Sequence, residues 1–175
     1  MYKWSEEGFA LMPQDQSPDQ NHREMLDLFR RGPRILDEAL RGVSESESKF
    51  VPAPGKWNIR QITRHLADTE IVVAMRLRQM IAEDRPLMVA FDQELWADRL
   101  AYTECDVFDS ASKFRALRTD ISSILDSLPA EAFARVGLHP ERGAGTLGEW
   151  VKRFAVHVET HAGQIRRIRD VWGQR

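Results

Sequence analysis

This sequence is poor in the features that mark secreted, membrane or nucleic-acid-binding proteins. Cys105 is the only cysteine in 175 residues, so no intramolecular disulfide can form and nothing points to an oxidising compartment. No run approaches the roughly 18 uninterrupted apolar residues of a membrane span. The opening MYKWSEEGFALMPQDQSPDQ lacks a basic region followed by an apolar one, so no secretory signal is expected. Lys and Arg number 25 against 27 Asp and Glu, without the basic excess that a nucleic-acid footprint requires. The densest basic stretch, RRIRD, is interrupted and reads as the solvated face of a helix. The expectation is a soluble, cytoplasmic protein with no nucleic-acid or membrane partner.

Strand signals are missing as well. No segment shows a convincing period of two, no repeat is visible, and no Gly/Ser linker divides the chain. What is present is helical spacing nearly throughout. After a polar opening, a first helix is predicted from about Asn21 to Val43, with Met25, Leu28, Phe29, Ile35, Leu36 and Leu40 inward. Pro33 should kink or break it. The stretch SESESKFVPAPGK is a turn-rich connection. A second helix starts at Asn58, with Gln61 in capping-box spacing, and runs to about Glu83. Residues 84–108 form the longest connection, with a short extra helix in DQELWADRLA. A third helix covers about Asp109 to Leu128, and PAEAFARVGLHPERGAG follows as a loop with at most one helical turn. Thr146 and Glu149 form the capping box of a fourth helix ending near Trp172.

Four helices of about 20 to 27 residues, each about 30 to 40 Å long, bury their apolar faces most simply as an all-α four-helix bundle. The long link between helices two and three permits an up-down-down-up order. One domain over residues 1–175 is expected, with 1–20 extended or loosely packed.

The unusual residues are histidines. Helix four carries the seam Leu147, Val151, Phe154, Val158, His161, Ile165, Ile168 and Trp172, stepping by four and three. His161 occupies a seam position, and His157 lies one turn earlier on its flank. On helix two, His65 adjoins the seam of Ile59, Ile62, Leu66, Thr69, Val73, Leu77 and Met80. A lone inward histidine is ordinarily a core residue bonded to a carbonyl or carboxylate. Three on two helices of one bundle make a divalent metal the economical partner, because an unpartnered buried polar group costs roughly 1–3 kcal/mol. His139 and His22 have no such placement and read as surface residues.

The pattern excludes two familiar metal chemistries. The di-iron bundle needs Glu three residues before a ligand histidine, and none is present. The zinc-protease motif needs Glu directly after the first histidine; in HVETH it is Glu159, two residues after His157 and about 200° around the helix from it. What remains is a mononuclear site with three imidazoles and an open position, where metals lower the pKa of bound water or hold a thiolate. Asp68 and Gln164, each one turn from a triad histidine, are expected to position the site or touch substrate. Trp57, Trp96 and Trp150 are candidates for a pocket wall.

PGKWNIRQITRHLADTE, followed near the C-terminus by HVETHAGQI, resembles the DinB/YfiT-like superfamily, over about Leu26 to Trp172. The resemblance implies an up-down-down-up bundle, often a homodimer, holding one divalent ion such as zinc, nickel or manganese on His65, His157 and His161. Characterised relatives imply metal-assisted chemistry on small-molecule substrates. They include transferases joining bacillithiol or a similar low-molecular-weight thiol to an electrophile, and a mycothiol-dependent maleylpyruvate isomerase. Others are regarded as metal-dependent hydrolases without an assigned substrate. Thiol S-transfer and hydrolysis both remain open at this point. So does a different class, a non-catalytic metal-binding or stress-associated bundle.

Overall fold

The computed structural model describes residues 18–175, with side chains from 21 onward. The loose segment expected at 1–20 therefore lies outside the described residues, apart from the backbone of 18–20. The first long helix is two pieces, α1 (Pro18–Arg30) and α2 (Gly32–Leu40). Pro33 stands in the first turn of α2, where its missing N–H costs no helical bond. The Ile35 N–H still reaches the Arg31 carbonyl at 3.0 Å, so the axis kinks without a loop. The chain leaves α2 through Gly42 at φ +73°, a conformation that glycine adopts without steric cost.

The connection read as plain turns holds a further helical turn, α3 (Glu45–Ser48), closed by a Ser44/Glu47 capping box. Next comes α4 (Ile59–Ala82), opened by the expected Asn58/Gln61 box. The long link contains α5 (Gln93–Arg99) and a 3₁₀ turn at Tyr102–Glu104 before α6 (Val107–Asp126). The expectation of no strand is overturned after α6. A 3₁₀ turn at Ala130–Ala134 leads into an antiparallel hairpin, β1 (Val136–His139) and β2 (Gly143–Thr146). Four-residue strands containing three glycines carry too little side-chain alternation to be seen in sequence. The hairpin is anchored by partners far along the chain: Leu138 exchanges bonds with Pro86 and Met88, at 2.9 and 2.8 Å. Thr146 and Glu149 then cap α7 (Leu147–Gly173) as expected.

Ion pairs and shared contacts give the directions of the four long elements. Glu70 and Arg78 on α4 meet Arg118 and Asp120 on α6, so α4 and α6 run parallel. Arg169 on α7 binds the Ala39 carbonyl, and Met25 packs at the other end beside Gly148, so the first element and α7 are also parallel. Arg30 with Asp126 and Asp37 with Arg115 make the first element antiparallel to α6. The order is up-down-down-up. The parallel α4/α6 pair explains the long link, which must travel back along the bundle before α6 can begin.

The core divides into two apolar clusters. One gathers Leu36, Ile59, Leu66, Phe114, Val158 and Ile165; the other gathers Phe29, Val73, Leu77, Ile121, Val151 and Phe154. Between them, on α4, α6 and α7, lies a polar layer. At its centre Arg118, 1% exposed, gives two bonds to Glu70 at 2.6 and 2.7 Å. It also reaches the Phe29 carbonyl at 3.2 Å and the Phe154 carbonyl at 3.4 Å, with its guanidinium over the Phe29 ring at 3.9 Å. A Cβ at position 32 would lie 2.8 Å from Arg118 Nη1, so Gly32 makes the room this side chain needs. Removing Glu70 would strand a buried charge, a loss of about 3–5 kcal/mol. Urea unfolding of Glu70→Ala should show that loss, while Glu38→Ala, from an exposed pair with Arg34, should be near neutral. Equal effects of the two substitutions would remove Arg118 from this role.

Candidate metal centre

The triad reaches this polar layer through His157, while His65 and His161 stand among residues of the first cluster. Antiparallel packing sets the early turns of α4 against the middle of α7, so His65 projects between His157 and His161. Their Nε2 atoms converge: His65 to His157 is 3.3 Å and His157 to His161 is 2.9 Å. One ligand atom from each of the three lies within 4.8 Å of the others. The rings meet edge to face, with centroids 4.4 to 5.3 Å apart. On the far side of His161, Nδ1 faces Gln164 Oε1 at 2.8 Å. An Nδ1–H donated there leaves the Nε2 lone pair facing the centre. Thr69 Oγ1 stands 3.4 Å from His65 Nδ1. The Trp57 ring closes this side at 5.2 Å from the His65 ring.

These donors fit a divalent ion. Bonds of about 2.0–2.1 Å put two ligand nitrogens about 3.3 Å apart at a tetrahedral angle and about 2.9 Å apart at a right angle. The two Nε2 separations match those spacings. Protonation also favours the fit, since a ligand imidazole must be neutral. Burial pushes His65 and His157 well below the ordinary histidine value, with neighbouring His161 adding to the effect. Burial likewise pushes His161 down to about 4, although its bond to Gln164 opposes this.

In the unfolded chain each of these imidazoles titrates near 6.5. Between that value and the depressed folded ones, the unfolded chain binds more protons, so stability falls as pH falls. The triad's contribution is fully present above about pH 6.5 and is lost as pH drops toward 4. Melting curves of metal-free protein should show a declining Tm across that window, and His161→Leu should flatten the decline. A Tm independent of pH over the window would mean that the folded triad takes up protons as readily as the unfolded chain.

Other residues singled out in the sequence are dispersed. Asp68 is buried but its carboxylate pairs with Arg64 Nε at 3.0 Å, beside Tyr102, whose phenol is pushed up by burial and by Asp68. Gln164 does touch the triad. Of the three tryptophans only Trp57 borders it: Trp96 packs on Phe91 and Trp150 stacks on Phe154 two turns away. Glu159 is exposed, on the side expected. Two readings need correction. His139 is not a surface residue but is buried against Trp150, because the unforeseen hairpin folds over it. His22 is half-buried, with its ring edge on Phe133 at 4.3 Å. Arg118 was missed although a signal existed: it occupies the α6 seam Val107, Ala111, Phe114, Arg118, Ile121, Leu125, where an apolar residue is the rule.

A buried three-histidine centre on the second and fourth long helices of such a bundle can be compared with known proteins. Residues 28–165 match the family model of the DinB superfamily. A candidate metal-dependent hydrolase of Oceanobacillus iheyensis is 28% identical over 133 residues, covering 76% of this chain and 77% of the relative. A second from that organism is 28% identical over 131 residues, 75% of each chain. In structure the chain is similar to YfiT of Bacillus subtilis, a probable metal-dependent hydrolase with an unusual four-helix bundle topology. The TM-score is 0.84 at 20% identity, with 93% of each chain covered. The family model spans most of the chain, and the protein belongs to the DinB superfamily.

Proposed function

We propose that this protein is a metal-dependent enzyme acting on a small molecule, with one divalent ion, zinc, nickel or manganese, held by Nε2 of His65, His157 and His161. The observation that carries this reading is the convergence of three neutral, buried imidazole nitrogens at ligand-pair spacing. Three protein ligands leave room for an exogenous one, and a bound ion supplies a lowered pKa to a coordinated thiol or water. Gln164 fixes the orientation of His161, and Trp57 covers the His65 side against solvent. Asp68 is proposed to position that wall through Arg64 and Tyr102.

Two nucleophiles suit the site. Thiol S-transfer, in which a low-molecular-weight thiol adds to an electrophile, is supported by the state of the two buried carboxylates of α4. Asp68 is engaged by Arg64 and Glu70 by Arg118, so neither stands ready as a general base, and a coordinated thiol needs none to be a nucleophile. Hydrolysis is supported by the descriptions of the relatives. A homodimer, as the resemblance implies, and a cytoplasmic location are part of the proposal. Untagged protein should hold about one divalent ion per chain, lost in His157→Ala/His161→Ala. The loaded protein should then accelerate conjugation of a thiol with an aromatic halide, or hydrolysis of an ester, each against a metal-free control. Absence of metal uptake in the unaltered protein would overturn the reading.

A further inference from the structure

The hairpin is fastened in one way at its base and in another at its tip. At the base, Leu138 exchanges backbone bonds with Pro86 and Met88 of the long link. Arg135, just before β1, gives its Nε to the Met80 carbonyl at 2.7 Å and its Nη2 to the Glu83 carbonyl at 2.6 Å. Its own carbonyl takes the Leu147 N–H at 2.8 Å. Past Leu138 the hold passes to one side chain. Residues 140–144 are exposed, whereas His139 is 6% exposed. The His139 ring stacks on the Trp150 indole of α7, with centroids 5.5 Å apart and planes inclined by 28°. Its Nδ1 accepts the Glu141 N–H at 3.2 Å.

That bond fixes the protonation state of the seated ring. A nitrogen that accepts from a backbone N–H carries a lone pair, so His139 is neutral here, with its proton on Nε2. An imidazolium donates from both nitrogens, and a proton on Nδ1 would set donor against donor within the turn. It would also bury a second cation on an indole that already has the Arg76 guanidinium 5.9 Å from its ring. Arg76 is itself buried, and its Nε bond to the Val89 carbonyl at 3.0 Å keeps it in place. A cation is attracted to an indole face, but that attraction offsets only part of the cost, because Arg76 draws on the same ring. The other charged groups that act on His139 are Arg153 of α7 and Glu141 and Arg142 of the tip. The long link meets β1 at the uncharged Pro86 and Met88. Burial first, then the three arginines, holds His139 below the ordinary histidine value, with Glu141 opposing.

We infer that the hairpin tip is a pH-operated flap: neutral His139 seats it on Trp150, and protonation of His139 releases residues 139–143 while Leu138 keeps the base in place. In a released tip the imidazole titrates near 6.5, and in the seated tip it titrates lower. The released form therefore binds more protons between those values, and closure weakens as pH falls. Closure is at full strength above about pH 6.5 and is lost as pH drops through the seated value. Release bares the Trp150 indole, which stacks on Phe154, one turn before His157. The flap depends neither on the metal nor on the proposed activity.

The test is amide hydrogen exchange of the full chain at pH 7 and pH 5, corrected for the intrinsic exchange rate. Protection at residues 139–144 should fall about tenfold between the two. The amides of Val73 and Val151 in the core report global unfolding, including any titration of the histidine triad, and should lose less. His139→Asn keeps a side-chain acceptor near the Nδ1 position and takes up no proton in this range, so its tip should be equally protected at both pH values. In the unaltered protein, an NMR titration of the His139 ring should give a midpoint below 6.5. A midpoint at or above 6.5 overturns the flap. So does a tip unchanged at pH 5, a loss matched by the core amides, or an equal loss in His139→Asn.

Discussion

The bundle is organised around one buried guanidinium. Arg118 comes from α6, its carboxylate partner from α4, and its two carbonyl partners from α1 and α7, so one side chain fixes the register of all four long elements. A buried ion pair is seldom a net source of stability, because desolvating both charges offsets their attraction. Its consequence is specificity. Any slip of one helix by a turn would leave the charge without its partners, and Gly32 admits the guanidinium at one position alone. Apolar contacts on either side, in the two clusters, supply the bulk of the favourable energy.

The candidate site adjoins that layer. A bundle of this length could have carried one continuous apolar core. Instead the core is interrupted at mid-height by the Arg118–Glu70 pair, and the three histidines adjoin that interruption through His157. Placing them side by side confines the cost of burying polar groups to one region of the core. The proximity has an electrostatic side as well: the Arg118 charge helps to hold His157 neutral, the form in which imidazole offers a lone pair.

The parallel pairing of α4 with α6 accounts for much of the remaining architecture. It demands a long return segment, and that segment brings Tyr102 beside Asp68 and the Val89 carbonyl to Arg76. It also provides Pro86 and Met88 as edge partners for the hairpin. The approach of Arg76, Arg153 and His139 to Trp150 is therefore a product of topology. It joins side chains from α4, the hairpin and α7, with a backbone carbonyl from the return segment.

How much was legible in the sequence follows from the range of the interactions involved. The helices, the Asn58 and Thr146 capping boxes, and the stacking of His157 over His161 are local. They depend on spacing within one turn, and the seam that pointed inward in the sequence does so in the fold. The convergence of His65 with that pair could be suspected from seams, because periodicity says which face is buried, but not which residues face each other across the core. The hairpin escaped detection because its short, glycine-rich strands owe their stability to Leu138 pairing with residues about fifty positions earlier. With it went the burial of His139. Asp68 had the right helical phase for the triad, yet Arg64 on its own helix and Tyr102 from the return segment lie around its carboxylate. The sequence by itself determined the helices and the chemical character of the site. Tertiary structure decided which charged groups meet, because their partners lie tens of residues away and only the packed bundle brings them within hydrogen-bond reach.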